Sequence, residues 1–451
     1  MSRDRELEAE VLEDPSQLRA WIAQGAKGDA VLGVGTEHEK IGFADLDASP
    51  IPYGGERGIE RLLTLLSERY GWTRLYDGGH LLALERDGGA ITLEPGGQLE
   101  LSGAVFPTVH GVAAELDRHL DEVRALGEEL GHVWFVGGLN PWRDADEVPW
   151  MPKPRYDIMR AYLPQRGPLA VWMMKMTASI QANYDFRDEA DAMEMLRVSG
   201  RITPLITALF ANSPVRLGRE TGMASSRMAV WHETDPDRCG TPAFAVEEGT
   251  SFDDYVQYML DVPMFFIKRD GRYVDMAGSS FRTFLSSGYE GHRPTIGDWE
   301  LHLSTAFPDT RLKRYVEVRS ADGGDRAHIL AFSALWKAVF YDRAVRELAL
   351  GLVEVRGQAE LDAFAEVARR DGLDGSWKGR GLRGLAGELV AAARAGLDRL
   401  AVDEPSEAPY LDCLLDGARG DGAVRAPGER FLEAWRAAGG DPRTLIPAFR
   451  Y

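Results

Sequence analysis

Polar and apolar positions alternate through residues 31–43, Val-Leu-Gly-Val-Gly-Thr-Glu-His-Glu-Lys-Ile-Gly-Phe, which predicts a strand with Glu37 and Glu39 on one face and His38 on the other. The same period of two predicts strands over 81–85 and 90–94 around Asp87-Gly88-Gly89, and over 98–102, where Gln98, Glu100 and Ser102 oppose Leu99 and Leu101. A short buried strand is predicted over 133–138. Residues 175–186 alternate again, with Thr177, Ser179, Gln181 and Asn183 on a polar but uncharged face that suits a cleft wall. In 311–319, Lys313, Tyr315, Glu317 and Arg319 oppose Leu312, Arg314, Val316 and Val318, and another strand is predicted after Ser226-Arg227.

Helical spacing fills the intervals. Asp14-Pro15-Ser16 opens a helix that buries Leu18, Trp21 and Ile22, while Ile59, Leu62, Leu63 and Leu66 form an apolar stripe that ends near Gly71. Residues 107–130 read as a helix stopped by Gly131, 188–211 as a helix bent at Pro204, and the chain from 327 onward as mainly helical. Residues 150–160 mix prolines with basic and aromatic side chains, a composition suited to a loop that leads Arg155 and Arg160 toward an anionic ligand.

Five acids stand on polar strand faces: Glu37, Glu39, Glu94, Glu100 and Glu317. If those strands share one antiparallel sheet, the carboxylates crowd a single surface, and like charges at that spacing need cations to remain ionised. Mg²⁺ answers this, and with Arg155, Arg227 and Arg319 nearby it makes a set of groups suited to phosphoryl transfer. A solvated edge strand with two surface glutamates would give the same pattern at 31–43. His38 faces away from the acids and suits packing or a structural hydrogen bond. Gly33-Val-Gly35 lacks the third glycine of a dinucleotide fingerprint, and neither a phosphate-cradling glycine-lysine loop nor a Gly-x-Ser-x-Gly elbow occurs.

Composition narrows the partners. At 451 residues and 44% hydrophobic, the chain can bury a large core, and its net charge of −19 argues against nucleic acid and an anionic membrane surface. The two cysteines, Cys239 and Cys413, are too few for a disulfide framework and fit a reducing compartment. With a charged start, Met1-Ser-Arg-Asp-Arg-Glu-Leu-Glu, and no apolar run near the ~20 residues a bilayer needs, a cytoplasmic protein without membrane attachment is expected.

Gly35-Thr-Glu-His-Glu-Lys, Leu93-Glu-Pro-Gly-Gly-Gln-Leu-Glu-Leu-Ser-Gly103, Pro154-Arg-Tyr-Asp-Ile-Met-Arg160, Ala208-Leu-Phe-Ala-Asn-Ser-Pro214 and Arg311-Leu-Lys-Arg-Tyr-Val-Glu-Val-Arg-Ser-Ala-Asp322 together resemble the plant-type glutamate–cysteine ligase family. The resemblance implies an α+β, glutamine-synthetase-like fold, in which an antiparallel sheet curves into a funnel with helices outside. One catalytic unit, 1–451, would comprise a sheet-bearing core, 30–325, and a helical buttress, 326–451. It implies ATP- and Mg²⁺-dependent joining of the L-glutamate γ-carboxylate to the L-cysteine amine through γ-glutamyl phosphate, the first step of glutathione biosynthesis. Carried onto this chain, Glu37, Glu39, Glu94, Glu100 and Glu317 become ligands for two or more Mg²⁺ ions. Gln181 lies near metal and ATP, Arg155 and Arg227 hold substrate carboxylates, and Tyr156 lines the cysteine pocket. Arg319 faces the transferred phosphoryl group, and Glu39, Glu100 and Arg319 form the catalytic set.

One departure stands out. Plant members carry cysteine pairs that act as a redox switch, whereas Met276 stands where one of those cysteines would be. No thiol switch is therefore expected, and the protein is expected to be a monomer or weak homodimer. A carboxylate–amine ligase with another acceptor, a noncatalytic amino-acid- or metal-binding relative, and a two-metal phosphoesterase are the competing readings.

Overall fold

A computed structural model describes residues 10–402, 404–420 and 422–451. The charged start of the chain lies outside the described residues. A nine-stranded sheet organises the rest, with β1 (Val34–Phe43), β2 (Thr73–Asp77), β3 (His80–Arg86), β4 (Gly89–Leu93), β5 (Leu99–Ser102), β6 (Val133–Phe135), β7 (Ser179–Tyr184), β8 (Thr310–Leu312) and β9 (Val316–Asp322). The order is β8-β9-β7-β1-β5-β4-β3-β2, with β6 also on β1, and each of these ladders is antiparallel.

The period of two in β1 and β7 separates a core face from a cleft face. Ile180, Ala182 and Tyr184 of β7 are buried, and the Tyr184 hydroxyl donates to the Ser333 carbonyl at 2.7 Å in the helix Arg326–Tyr341. The Thr36 and Ser333 hydroxyls lie 2.7 Å apart, which fixes the same helix behind β1. Helices Glu189–Leu209 and Leu382–Leu400 complete that layer, where Trp299 and Trp336 are fully buried. Each buried Leu, Val or Phe contributes about 1.5–3 kcal/mol to such a core. Helices Ile59–Tyr70 and Val109–Leu130 cover the β3–β5 region, and left-handed Gly71 (φ 77°) and Gly131 (φ 71°) end them where the sequence predicts.

The expected glutamine-synthetase-like funnel is corrected. No ladder joins β8 to β2 among the described residues, so the sheet is open and its antiparallel strands do not close on themselves. The outer strand β2 exposes Tyr76 by 59%, as a free edge does.

Three local expectations change as well. The strand predicted after Arg227 is a helix, Ser226–His232, started by the Ser225 side chain, which accepts from the Met228 N–H. Residues Ala170–Met176 form a short helix, so the alternation read from 175 begins inside a helix and only Ser179–Tyr184 is strand. The single strand predicted over 311–319 is a hairpin of β8 and β9, and the reversal brings Arg311 opposite Glu317.

Candidate active site

Register builds the site. Glu39 on β1 sits opposite Glu100 on β5, and Glu100 sits opposite Thr92 on β4. On the other side of β1, Glu37 is opposite Gln181, and Asn183 of β7 is opposite Glu317 of β9. A diagonal row of polar side chains thus crosses from β4 to β8 on the cleft face. Glu94 joins it from the turn after β4, which needs glycine twice. Gly97 is left-handed (φ 84°), and a Cβ on Gly96 would come within 2.2 Å of the Lys175 carbonyl oxygen.

Hydrogen bonds connect the row. Ser179 donates to Glu39 Oε2 from its backbone N–H (2.7 Å) and its hydroxyl (3.1 Å), and Gln181 Nε2 approaches Glu39 Oε1 at 3.5 Å. The Thr92 hydroxyl donates to Glu100, and Arg319 donates to both Gln181 and Glu317. Asn183 Nδ2 donates to Glu37 Oε1 at 2.9 Å. Burial, followed by the neighbouring Glu100, raises Glu39 to about 7, and burial with Glu100 and Glu39 raises Glu94 to about 8. Burial raises Glu100 also. Burial opposes ionisation of Glu317, but Arg311, Arg319 and Lys313 outweigh it and hold that carboxyl well below the usual range.

A single cavity brings together Glu39, Glu94, Glu100, Arg155, Tyr156, Gln181, Arg311 and Arg319, roofed by Met173, Met174, Trp231, Phe266 and Phe307. Arg155 opens the helix Arg155–Tyr162 and lies over the Tyr156 ring at 5.6 Å, while the Tyr156 hydroxyl is committed to the Leu93 carbonyl at 2.6 Å. Two of the residues singled out from sequence line other spaces. Glu37 faces a cavity with Asn183, Ser102 and Lys313, and Arg227 lies behind Trp231 in an adjoining chamber. Arg227 donates to the Arg319 carbonyl at 3.2 Å and stands 3.9 Å from Asp322, which itself accepts from Ser213, Ser225 and the Asn212 N–H. Glu317 is fully buried with its oxygens engaged by arginines. His38 lies behind the row, 3.2 Å from Lys40 Nζ, with its ring against His119. Arg160 reaches the Trp150 ring rather than the cavity.

Sequence reasoning missed Arg311, Trp231 and Asp309. Arg311 was hidden by reading 311–319 as one strand, and Trp231 sits on a helix of seven residues, too short for periodicity to reveal. Nothing in the sequence around Asp309 marks it.

The donor set suits Mg²⁺ in part. Glu94 Oε1 is buried without a hydrogen-bond partner, and the raised carboxyls of Glu39 and Glu94 favour an added cation. Among the described residues no three Asp, Glu, His or Cys side chains form a ready metal cage. Mg²⁺ in nucleotide sites commonly takes one or two carboxylates and completes its shell with phosphate oxygens and water, a demand that pairs of these acids can meet.

No helix among the described residues is long and apolar enough to cross a membrane. Residues 33–414 match the family described as Glutamate-cysteine ligase family 2 (GCS2). The chloroplastic glutamate–cysteine ligase of Brassica juncea is 38% identical over 98% of this chain and 85% of its own length, and that of Nicotiana tabacum is 37% identical over 96% and 81%. The crystal structure of a Francisella tularensis glutamate–cysteine ligase in complex with AMP shares the fold at a TM-score of 0.54 and 14% identity, covering 94% of this chain and 88% of that one. The fold likeness is thus to that ligase.

These plant relatives also overturn the expectation of a cytoplasmic protein, because they are chloroplastic. Low cysteine content reports a reducing compartment, and the cytoplasm is not the only one. With a family match over most of its length and relatives this similar, the chain belongs to glutamate-cysteine ligase family 2.

Proposed function

We propose that this chain joins the γ-carboxylate of L-glutamate to the amine of L-cysteine at the expense of ATP, the first step toward glutathione. The observation that carries the site assignment is the meeting of Glu39, Glu94 and Glu100 with Arg155, Gln181 and Arg319 in one cavity, from six separate segments of the chain. The whole chain acts as one catalytic unit, with 30–325 as the sheet-bearing core and 326–451 as the helical buttress.

Glu39, Glu94 and Glu100 would hold Mg²⁺ in the cavity and Glu37 would hold a further ion from the neighbouring space, while Glu317, gripped by Arg311 and Arg319, positions the Arg319 guanidinium instead of ligating metal. Mg²⁺ bound there would supply charge neutralisation on the phosphate oxygens. Arg155 binds a substrate carboxylate at the mouth of its helix, and Arg227 binds another from beyond Trp231. Tyr156 contributes its ring to the cavity wall, since its hydroxyl is already bonded.

Arg319 stabilises the phosphoryl group as it moves from ATP to the γ-carboxylate, and Gln181 and Glu317 hold that guanidinium in place from two sides. The transfer makes the γ-carbon an acyl phosphate. The acceptor nitrogen then attacks it, the bond to the phosphate oxygen breaks, phosphate leaves, and the nitrogen loses a proton to give the amide. Ser179 and Thr92 fix Glu39 and Glu100, so little reorganisation is needed during the step. Release of ADP with glutamate and a panel of amines tests the reading, and cysteine should be preferred over the other acceptors.

A further inference from the structure

We infer that Gln98 is a positioning residue of the active site. Its side-chain amide ties the turn that carries Glu94 to the segment between the methionine roof and β7, and so holds Glu94 where a divalent cation shared with Glu39 and Glu100 requires it. The inference rests on the metal-dependent ligase reading and adds to it how one of the acids is aimed.

Glu39 and Glu100 stand within the ladders and accept hydrogen bonds from Ser179 and Thr92. Glu94 stands one place past the last β4–β5 pair, Leu93 with Leu99, and its Oε1 is buried without a hydrogen-bond partner. The main chain of the turn therefore sets its aim. The Glu94 N–H donates to the Gln98 carbonyl at 3.0 Å, and the Gly97 N–H donates to the Glu94 carbonyl at 2.9 Å. Gln98 adds its side chain to both ends of this arrangement. Its Oε1 accepts from the Gly96 N–H at 3.0 Å, while its Nε2 donates to the Thr177 carbonyl at 2.8 Å and approaches the Met174 carbonyl at 3.4 Å. Turned the other way, the amide would set its oxygen against two carbonyl oxygens, so its donors face Thr177 and Met174.

Packing alone would not call for an amide here. At 3% exposure, an apolar side chain of similar length fills the space without the cost of burying polar atoms. The turn would also keep its own main-chain bonds and the one from the Met151 N–H to the Pro95 carbonyl at 2.9 Å. What the amide adds is the link to 174–177. That segment joins the helix Ala170–Met176, which brings Met173 and Met174 over the cavity, to β7, which carries Ser179 and Gln181. Glu94 is thereby fixed relative to the strand whose Ser179 holds Glu39, and the spacing between two acids of the cavity depends on one side chain.

The test uses Mn²⁺ alone as the probe, with free Mn²⁺ read by electron paramagnetic resonance in the full-length protein. Gln98→Met removes the amide and keeps the length, and should weaken Mn²⁺ binding by about tenfold or more with the urea transition retained. Ligation by this variant should need correspondingly more Mg²⁺ and largely recover when Mg²⁺ saturates, which a general loss of fold would not give. If Gln98→Met does not fold, Gln98→Asn takes its place with the same expectation, because its shorter amide cannot span from Gly96 to Thr177. Unchanged Mn²⁺ affinity in the folded variant overturns the inference, as does absence of Mn²⁺ binding by the unmodified protein. Weakened Mn²⁺ affinity in the variant, together with no ligation of glutamate and cysteine by the unmodified protein, supports the role of Gln98 and overturns the ligase reading alone.

Discussion

Arg311 and Glu317 face each other across the β8–β9 hairpin in a two-pronged ion pair, with Nη2 2.7 Å from Oε1 and Nε 3.1 Å from Oε2. Both side chains are buried, and the remaining Arg311 donors go to the Ser304 and Ala306 carbonyls at 3.0 and 2.9 Å. The hairpin and the wall of the active cavity are thus tied at one point. Two charges taken out of water are tolerable here because nearly every donor and acceptor is matched.

Arg311→Ala removes the two-pronged partner of Glu317 and leaves that buried carboxylate to Arg319 and Lys313, so it should destabilise the fold by up to about 3 kcal/mol, the low end for breaking a buried pair. Arg311→Lys should fall between, since an ammonium cannot grip both oxygens with the planar fork. Urea denaturation measures both, and a midpoint equal to that of the unmodified protein in Arg311→Ala would contradict the pair's role.

His302 gives the fold an acid limit. Its Nε2 lies 2.7 Å from the Met259 carbonyl oxygen, and burial lowers the group to about 4. The unfolded chain takes up this proton near the ordinary value of about 6.5. Stability from the neutral ring is therefore present above about 6.5 and lost as pH falls toward 4, by on the order of 3 kcal/mol. His302→Gln should flatten the stability curve between those limits in pH-dependent denaturation.

Reductant should leave activity unchanged. Cys239 and Cys413 are free, and burial pushes both thiols up to about 12, which leaves little thiolate near neutral pH. Met276 is buried and offers no redox partner. Activity assayed with and without dithiothreitol checks this, and a several-fold response would require a thiol switch that these residues do not provide.

Cation binding should release protons. Glu39 and Glu94, raised to about 7 and about 8, carry protons in part at neutral pH and must shed them to act as ligands. Release on adding MgADP should be largest below pH 7 and fade as pH rises past about 8, where both acids are already ionised. Calorimetry in buffers of different ionisation enthalpy measures this, and pH-independent release would exclude these two carboxyls.

Much of the site was legible because the sheet repeats every two residues. Glu37, Glu39, Glu100, Gln181 and Ser179 fall on one face by alternation alone, and their neighbours across the ladders follow once the strands pair. Arg311 was not legible, because the reversal at 313–315 contains neither glycine nor proline. It is closed by the Lys313 N–H donating to the Tyr315 carbonyl at 2.9 Å. Arg227 was placed near a strand because seven residues hold too few turns to display a helical period, although Ser225 three places before Met228 is a start signal. Whether the sheet closes depends on contacts between β2 and β8, more than 200 residues apart, and local pattern carries no record of such pairing.

The most direct measurement is ADP release by the purified protein with Mg²⁺, ATP, glutamate and cysteine, in parallel with Glu100→Gln. The amide should still accept the Thr92 hydrogen bond and keep the fold, while turnover drops on the order of a hundredfold or more because a carboxylate of the metal-binding row is gone. Robust γ-glutamylcysteine formation that fails in Glu100→Gln is the predicted result. No product from the unmodified protein, or undiminished turnover in a folded Glu100→Gln, would contradict the claim that acids gathered from separate strands perform this ligation.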